Sequence, residues 1–269
     1  MTHDLQPVDL AMALEFAYRT AVVAGEATLP HFRQVIEIED KRNFLGYDPV
    51  TAADREAVSV IRAAIRQSYP DHGIHGEEHG RESGTSRYTW VIDPVDGTRS
   101  FILGQLHWGV LIALHDGQRP VVGVAHQPFV GETFLGAGGV AQWRRGDARR
   151  ALRSRACARI EDAIVATTDP RQFRSSAELA ALRTVSESAR LLRYGGDCYC
   201  YTLLAMGFVD VVIESGLQPY DIQALMPIIE GAGGVVTNWS GGPCDQGGSV
   251  LACGDPGLHQ ELLRRLRTG

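Results

Sequence analysis

The run Trp90-Val91-Ile92-Asp93-Pro94-Val95-Asp96-Gly97-Thr98 constrains this chain more than any other feature. An apolar strand, read from Tyr88 to Ile92, delivers two carboxylates three residues apart into a polar exit that closes on Gly and Thr. Pro94 stiffens that exit, and Gly97 permits a close backbone approach. A carboxylate pair on a rigid strand end, with a backbone carbonyl between the two acids, suits a hard cation such as magnesium. If a helix starts just after Asp96, its free N–H groups also offer a seat for phosphate oxygens. The competing reading is a solvated Asp-rich turn capping a helix, although a cap requires only one of the acids.

Three other acidic elements accompany this one. Gly76-Glu77-Glu78 follows a short apolar segment, Ile74-His75, and precedes the acid-bearing strand. Adjacent acids commonly decorate a surface, and only this position argues for more. Asp48-Pro49-Val50-Thr51-Ala52-Ala53-Asp54 opens a helix, where an ordinary cap with an acidic first turn is, taken alone, the favoured account. Glu214-Ser215-Gly216-Leu217-Gln218-Pro219-Tyr220-Asp221 lies between a strand and a helix, and Asp221 either caps that helix or holds a ligand.

The remainder of the chain frames these segments. At 269 residues it is long enough for one large domain or two small lobes. Helices are expected from Val8 to Phe32, with Leu10, Leu14, Ala17 and Val22 on one stripe, and from Ala52 to Tyr69. Strands are expected over Val110–Leu114, Val121–Gln127 and Glu132–Leu135, and Arg144–Arg155 reads as a surface excursion. After it short strands and helices alternate, including helices over Cys198–Gly207 and Ile222–Ala232. An N-terminal α+β lobe (1–150) carrying most of the acids and a C-terminal α/β lobe (151–269) carrying Asp221 follow from that change.

The formal charge of −6 gives no broad attraction for nucleic acid or an anionic membrane, so neither is an expected partner. A net acidic protein that handles a phosphate ester needs local positive charge, which bound metal supplies. The opening residues Met1–Gln6 lack a basic start followed by an apolar core, and no run approaches the roughly 18 apolar residues of a membrane span. Five cysteines, an odd number, read as buried free thiols, and Cys198 and Cys200 lack two further soft ligands for zinc. The expected compartment is the cytoplasm.

Taken in order, Asp54 in DPVTAAD, Glu77 in GEE, Asp93–Thr98 in DPVDGT, and Asp221 followed by Glu230-Gly231-Ala232-Gly233-Gly234 resemble the inositol monophosphatase family. The resemblance runs from about residue 10 to 265 and implies lithium-sensitive, magnesium-dependent phosphatase activity. It implies a five-layered αβαβα sandwich of the inositol monophosphatase/fructose-1,6-bisphosphatase type, an α+β or α/β architecture often assembled as a homodimer. Two or three magnesium ions per site are implied. Glu77, Asp93 and the Val95 carbonyl would hold one, Asp93, Asp96 and Asp221 a second, and Asp54 would lie in the outer shell of a third. Thr98 and Glu77 would orient the attacking water, and Asp96, Gly97 and Thr98 would meet the phosphate.

A narrower resemblance, to the histidinol-phosphate phosphatase branch, rests on Arg193-Tyr194-Gly195-Gly196-Asp197-Cys198-Tyr199-Cys200-Tyr201, Gly207-Phe208-Val209-Asp210 and Glu214–Asp221, with Tyr220 where many members have Trp. It implies a role in histidine biosynthesis. Asp197 beside Glu214 would favour a cationic alcohol by charge-assisted hydrogen bonds. Asp197 could equally cap the following helix, and Arg193 could neutralise one of the two acids. A broad inositol or sugar monophosphatase, and a non-catalytic metal-binding regulator, are the alternative functions.

Overall fold

The computed structural model describes residues 8–35, 38–40 and 49–268. Asp48, the first residue of the DPVTAAD segment, lies outside the described residues. Asp9 caps the first helix, α1 (Leu10–Thr28), its Oδ1 accepting from the amides of Ala11 at 2.9 Å and Met12 at 3.2 Å. The buried stripe of α1 consists of Ala13, Ala17, Ala21 and Ala24, all fully enclosed, while Leu10, Leu14 and Val22 are only half-buried. Small residues make the seam because α1 packs closely on both a second helix and a sheet. A two-residue ladder, β1 (Glu39–Asp40) with β2 (Pro49–Val50), precedes that second helix, α2 (Ala52–Ser68).

The first sheet has eight strands: β3 (Gly73–Gly76), β4 (Arg81–Glu82), β5 (Thr89–Asp96), β6 (Gly109–His115), β7 (Pro120–Gln127), β8 (Glu132–Ala137), β9 (Val140–Arg145) and β10 (Ala148–Ala151). Their order is β10-β9-β8-β7-β6-β5-β3-β4, antiparallel except where β3 runs parallel to β5. Arg144–Arg155 is thus largely a hairpin at the sheet edge rather than an excursion. Its exposed Arg145, Arg149 and Arg150 place charge along that edge, a common protection against edge-to-edge pairing.

A short helix α3 (Thr98–Ile102) leaves β5. The second sheet, with α4 (Ser176–Ser186) and α5 (Asp197–Ala205) in its crossovers, contains β11 (Ile164–Thr167), β12 (Leu191–Tyr194), β13 (Val211–Leu217), β14 (Val235–Thr237) and β15 (Gly248–Cys253), in the order β12-β11-β13-β15-β14. The helix expected over Ile222–Ala232 is two pieces, α6 (Pro219–Ile222) and α7 (Leu225–Gly231). Pro227 explains the restart: it has no N–H to donate, which is tolerated in a first turn and not in a helix interior. The chain closes with α8 (Pro256–Thr268).

Three apolar layers bind these elements into an αβαβα, α+β sandwich. One joins α1 and α2 to the first sheet through Trp90, Ile92, Ile112 and Leu114. The middle layer holds the other face of that sheet, α5, α7 and the second sheet together, through Leu111, Phe134, Leu204, Ile228 and Val212. The third packs α4 and α8 on the far side of the second sheet. All five cysteines are buried free thiols. Among the described residues no helix is long and apolar enough to cross a membrane.

Candidate active site

The cleft is built where β5 stops being regular. Residues three apart on a regular strand point to opposite faces. Here Asp93 pairs with Leu111 and Asp96 with Gly109, so β5 spends three residues where β6 spends two. Pro94, unable to donate to the ladder, sits in that bulge. The extra residue brings Asp93 and Asp96 onto one cleft wall instead of dividing them between faces. Gly97 follows at φ +80°, and a Cβ there would come within 2.5 Å of the His107 carbonyl oxygen, so only glycine fits.

Asp221 enters from the second half of the chain, at the start of α6. Carboxylate oxygens of Asp93, Asp96 and Asp221 lie within 4.8 Å of one another. Each acid has one oxygen held by a backbone amide: Asp93 by Val95 at 3.0 Å, Asp96 by Cys198 at 2.8 Å, Asp221 by Gln218 at 2.7 Å. Those bonds orient the acids without neutralising them. Glu77, delivered by the end of β3, shares the wall, as do Val95, Thr98, Asp197 and Glu214. The Thr98 hydroxyl donates to the Val95 carbonyl at 2.9 Å.

Electrostatically the cleft is one-sided. Six of its wall residues are acids, and none is Lys or Arg. Burial, reinforced by the charges of Glu77, Asp96 and Asp221, pushes the Asp93 carboxyl well above the usual range. Burial, then Asp197, pushes Asp96 up to about 7. Asp221 is raised strongly by burial and by Asp96, and Glu214 to about 8 by burial, against its hydrogen bonds from Thr168 and Thr167. Acids in this state require either protons or cations. The available donors are hard oxygens, and the one thiol on the wall, Cys198, is held protonated by burial, so the set fits magnesium better than a thiophilic metal.

Other expected residues fall differently. Asp54 is buried behind the wall in a capping box, accepting from the Thr51 amide at 2.8 Å and the Thr51 hydroxyl at 2.6 Å, although its charge still reaches Asp93. Asp197 does not cap α5, whose N-cap is Gly196: its Oδ2 accepts from the Ser100 hydroxyl at 2.7 Å, and the Cys198 amide in the first turn of α5 donates to Asp96. Glu214 accepts from the Thr168 amide at 2.6 Å and the Thr167 hydroxyl at 3.3 Å. Arg193 is exposed on β12, outside the cleft wall. Thr168 and Gln172 line the wall from outside every motif of the sequence, and Tyr201 and Leu217 line it from within the runs Arg193–Tyr201 and Glu214–Asp221, whose expected roles fall on other residues. For Thr168 and Gln172 no acidic motif or local pattern marks the position.

Fold and cleft together define a class, an α+β sandwich with an oxygen-donor cation site where strand ends from both halves of the chain converge. The inositol monophosphatase family model matches residues 9–268, and the chain belongs to that family of phosphatases. It is 40% identical over 257 residues to the bifunctional phosphatase IMPL2, chloroplastic, of Arabidopsis thaliana, covering 91% of this chain and 72% of that one. It is 32% identical over 262 residues to a histidinol-phosphatase of Chlorobaculum parvum, covering 97% of each. Among solved structures, an inositol monophosphatase from Zymomonas mobilis superposes with a TM-score of 0.85 at 35% identity, over 97% of this chain and 100% of that one.

Proposed function

We propose that the chain is a magnesium-dependent phosphomonoesterase that hydrolyses histidinol phosphate to histidinol and phosphate. The observation that carries this reading is the surplus of acid in the cleft. Beyond Asp93, Asp96 and Asp221, which suffice to hold cations, the half-buried Asp197 and the buried Glu214 lie on the same wall. An inositol ring offers only hydroxyls, whereas histidinol carries an ammonium and an imidazole that two further carboxylates bind by charge-assisted hydrogen bonds. The near full-length likeness to a histidinol-phosphatase supports the same substrate.

Glu77, Asp93, the Val95 carbonyl, Asp96 and Asp221 would hold magnesium, which when bound neutralises phosphoryl oxygens and acidifies a water. The protein's own groups do the positioning. Thr98 spends its proton on the Val95 carbonyl, which leaves its oxygen to accept from the attacking water beside the Glu77 carboxylate. The amides of Gly97 and Thr98 open α3 at the same wall and would receive phosphate oxygens.

A second reading, hydrolysis of inositol-1-phosphate or a related polyol phosphate, is favoured by the likeness to the Zymomonas mobilis inositol monophosphatase. Phosphate release from histidinol phosphate, inositol-1-phosphate and fructose bisphosphate, with magnesium and with EDTA, decides between them. The expected result is magnesium-dependent release with the highest kcat/KM on histidinol phosphate. Preference for inositol-1-phosphate would establish the second reading, and no release from any ester would point to a non-catalytic protein.

A further inference from the structure

The segment after β11 carries an unclaimed acceptor into the cleft. Asp169 caps a single 3-10 turn, Pro170–Gln172, its Oδ1 accepting from the Arg171 amide at 2.9 Å, and the Gln172 amide donates to the Asp169 carbonyl at 3.0 Å. The next residue, Phe173, is 3% exposed and stacks on Trp239 with ring centroids 5.9 Å apart. Gln172 is therefore held between a cap and a core anchor. Its side chain lines the same cleft as Asp197 and Glu214.

Its carbonyl oxygen is buried and takes no hydrogen bond from the protein. A buried acceptor left without a donor is destabilising, and on a cleft wall a ligand's donor can relieve that cost. Among the described residues, the buried side-chain atoms without a partner include only two on this cleft wall, Gln172 Oε1 and the Tyr201 hydroxyl. The others are elsewhere, such as the indole nitrogens of Trp90 and Trp108 in the core. The wall on which Gln172 lies carries the carboxylates of Asp197 and Glu214 and no Lys or Arg, so a ligand that satisfies it must bring hydrogen-bond donors.

We infer that Gln172 is a specificity-determining residue, its carbonyl oxygen accepting a hydrogen bond from an N–H or O–H on the alcohol part of the phosphate ester. It acts through substrate binding and not through the cation site, with which it shares no hydrogen bond. The inference rests on the reading of the cleft as a phosphomonoesterase site, but not on which donor-bearing ester is the true substrate.

The test compares KM and kcat for histidinol phosphate, inositol-1-phosphate and phenyl phosphate, whose alcohol part has no donor, on wild type, Gln172→Leu and Gln172→Glu. Gln172→Leu should raise KM roughly tenfold for the preferred donor-bearing ester, leave its kcat within about twofold, and leave phenyl phosphate unchanged. Gln172→Glu, which can still accept, should restore KM for histidinol phosphate. An unchanged KM ratio between the donor-bearing ester and phenyl phosphate in the Leu variant overturns the inference, and so does an equal loss on both. A wild type that prefers inositol-1-phosphate overturns the histidinol-phosphate reading alone, because the Gln172 ratio is then read on that ester.

Discussion

Asp93 is 2% exposed and surrounded by the charges of Glu77, Asp96, Asp221 and Asp54, so a change to Asn alters its charge and hardly its shape. Asp93→Asn should lower phosphate release at least about a hundredfold, the scale of removing one electrostatic stabiliser. The same variant should lose the rise in Tm that magnesium produces, and its metal-free Tm should be no lower than that of wild type, since one buried repulsive charge has gone. Near-normal release at saturating magnesium would sink the assignment. Thr98→Ala separates orientation from metal holding: kcat should fall while the magnesium-induced rise in Tm persists. A defect confined to magnesium affinity would argue against that role. Asp197 adopts φ +45°, which Asn tolerates better than Ala, so Asp197→Asn is the informative change. It should raise KM for histidinol phosphate about tenfold relative to a neutral ester, with Tm little altered because Asp197 caps no helix. A KM ratio equal to that of wild type would refute the contact.

Between elements, the sensitive seam is where α7 and the loop before it lie on the first sheet. A Cβ on Gly123, in β7, would fall 2.0 Å from the Ala224 carbonyl oxygen, and one on Gly136, in β8, would fall 2.4 Å from the Ile228 amide nitrogen. These glycines have ordinary strand conformations, so their role is close approach and not unusual φ. Gly123→Ala must push back the segment that links Asp221 in α6 to α7. Overpacking of this kind costs about 1–3 kcal/mol, and each kcal/mol moves Tm by roughly 2–4 °C in a domain of this size. Thermal melts should show that fall, and kcat should drop with it because Asp221 shifts against Asp93 and Asp96. A Gly123→Ala protein with unchanged Tm would show that the seam is softer than its geometry.

For the whole molecule, the acid cluster links stability to pH and to cation. Burial raises Asp96 to about 7 and Glu214 to about 8, from ordinary values of 3.8 and 4.5, and Asp93 and Asp221 move in the same direction. Between those limits the folded state retains protons that the unfolded chain has released, so stability must fall as pH rises. With EDTA, Tm should therefore decline from roughly pH 4 to about pH 8, beyond any general trend. Magnesium takes the place of those protons, so its gain in Tm should be larger at pH 8 than at pH 5. Melts across pH with and without magnesium check both statements, and a metal-free Tm that rises over that window would contradict the buried, cation-seeking cluster. Legible in the residues alone were the local features: the apolar run into Asp93, the order of Glu77, Asp96, Thr98 and Asp221, and most strands and helices, because period and turn chemistry are written in neighbouring residues. Even the alanine seam of α1 was half-hidden, since larger Leu10 and Leu14 drew the apparent stripe away from the helix's closest contacts. The tertiary structure alone decided that a bulge at Pro94 places Asp93 and Asp96 on one wall, and that the first amide available at α5 belongs to Asp96 while Asp197 binds Ser100. It alone removed Arg193 from the cleft and brought Gln172 and Tyr201 into it. Those outcomes depend on which faces of distant segments meet, with partners such as Ser100 and Asp197 separated by 97 residues, and no local period encodes them.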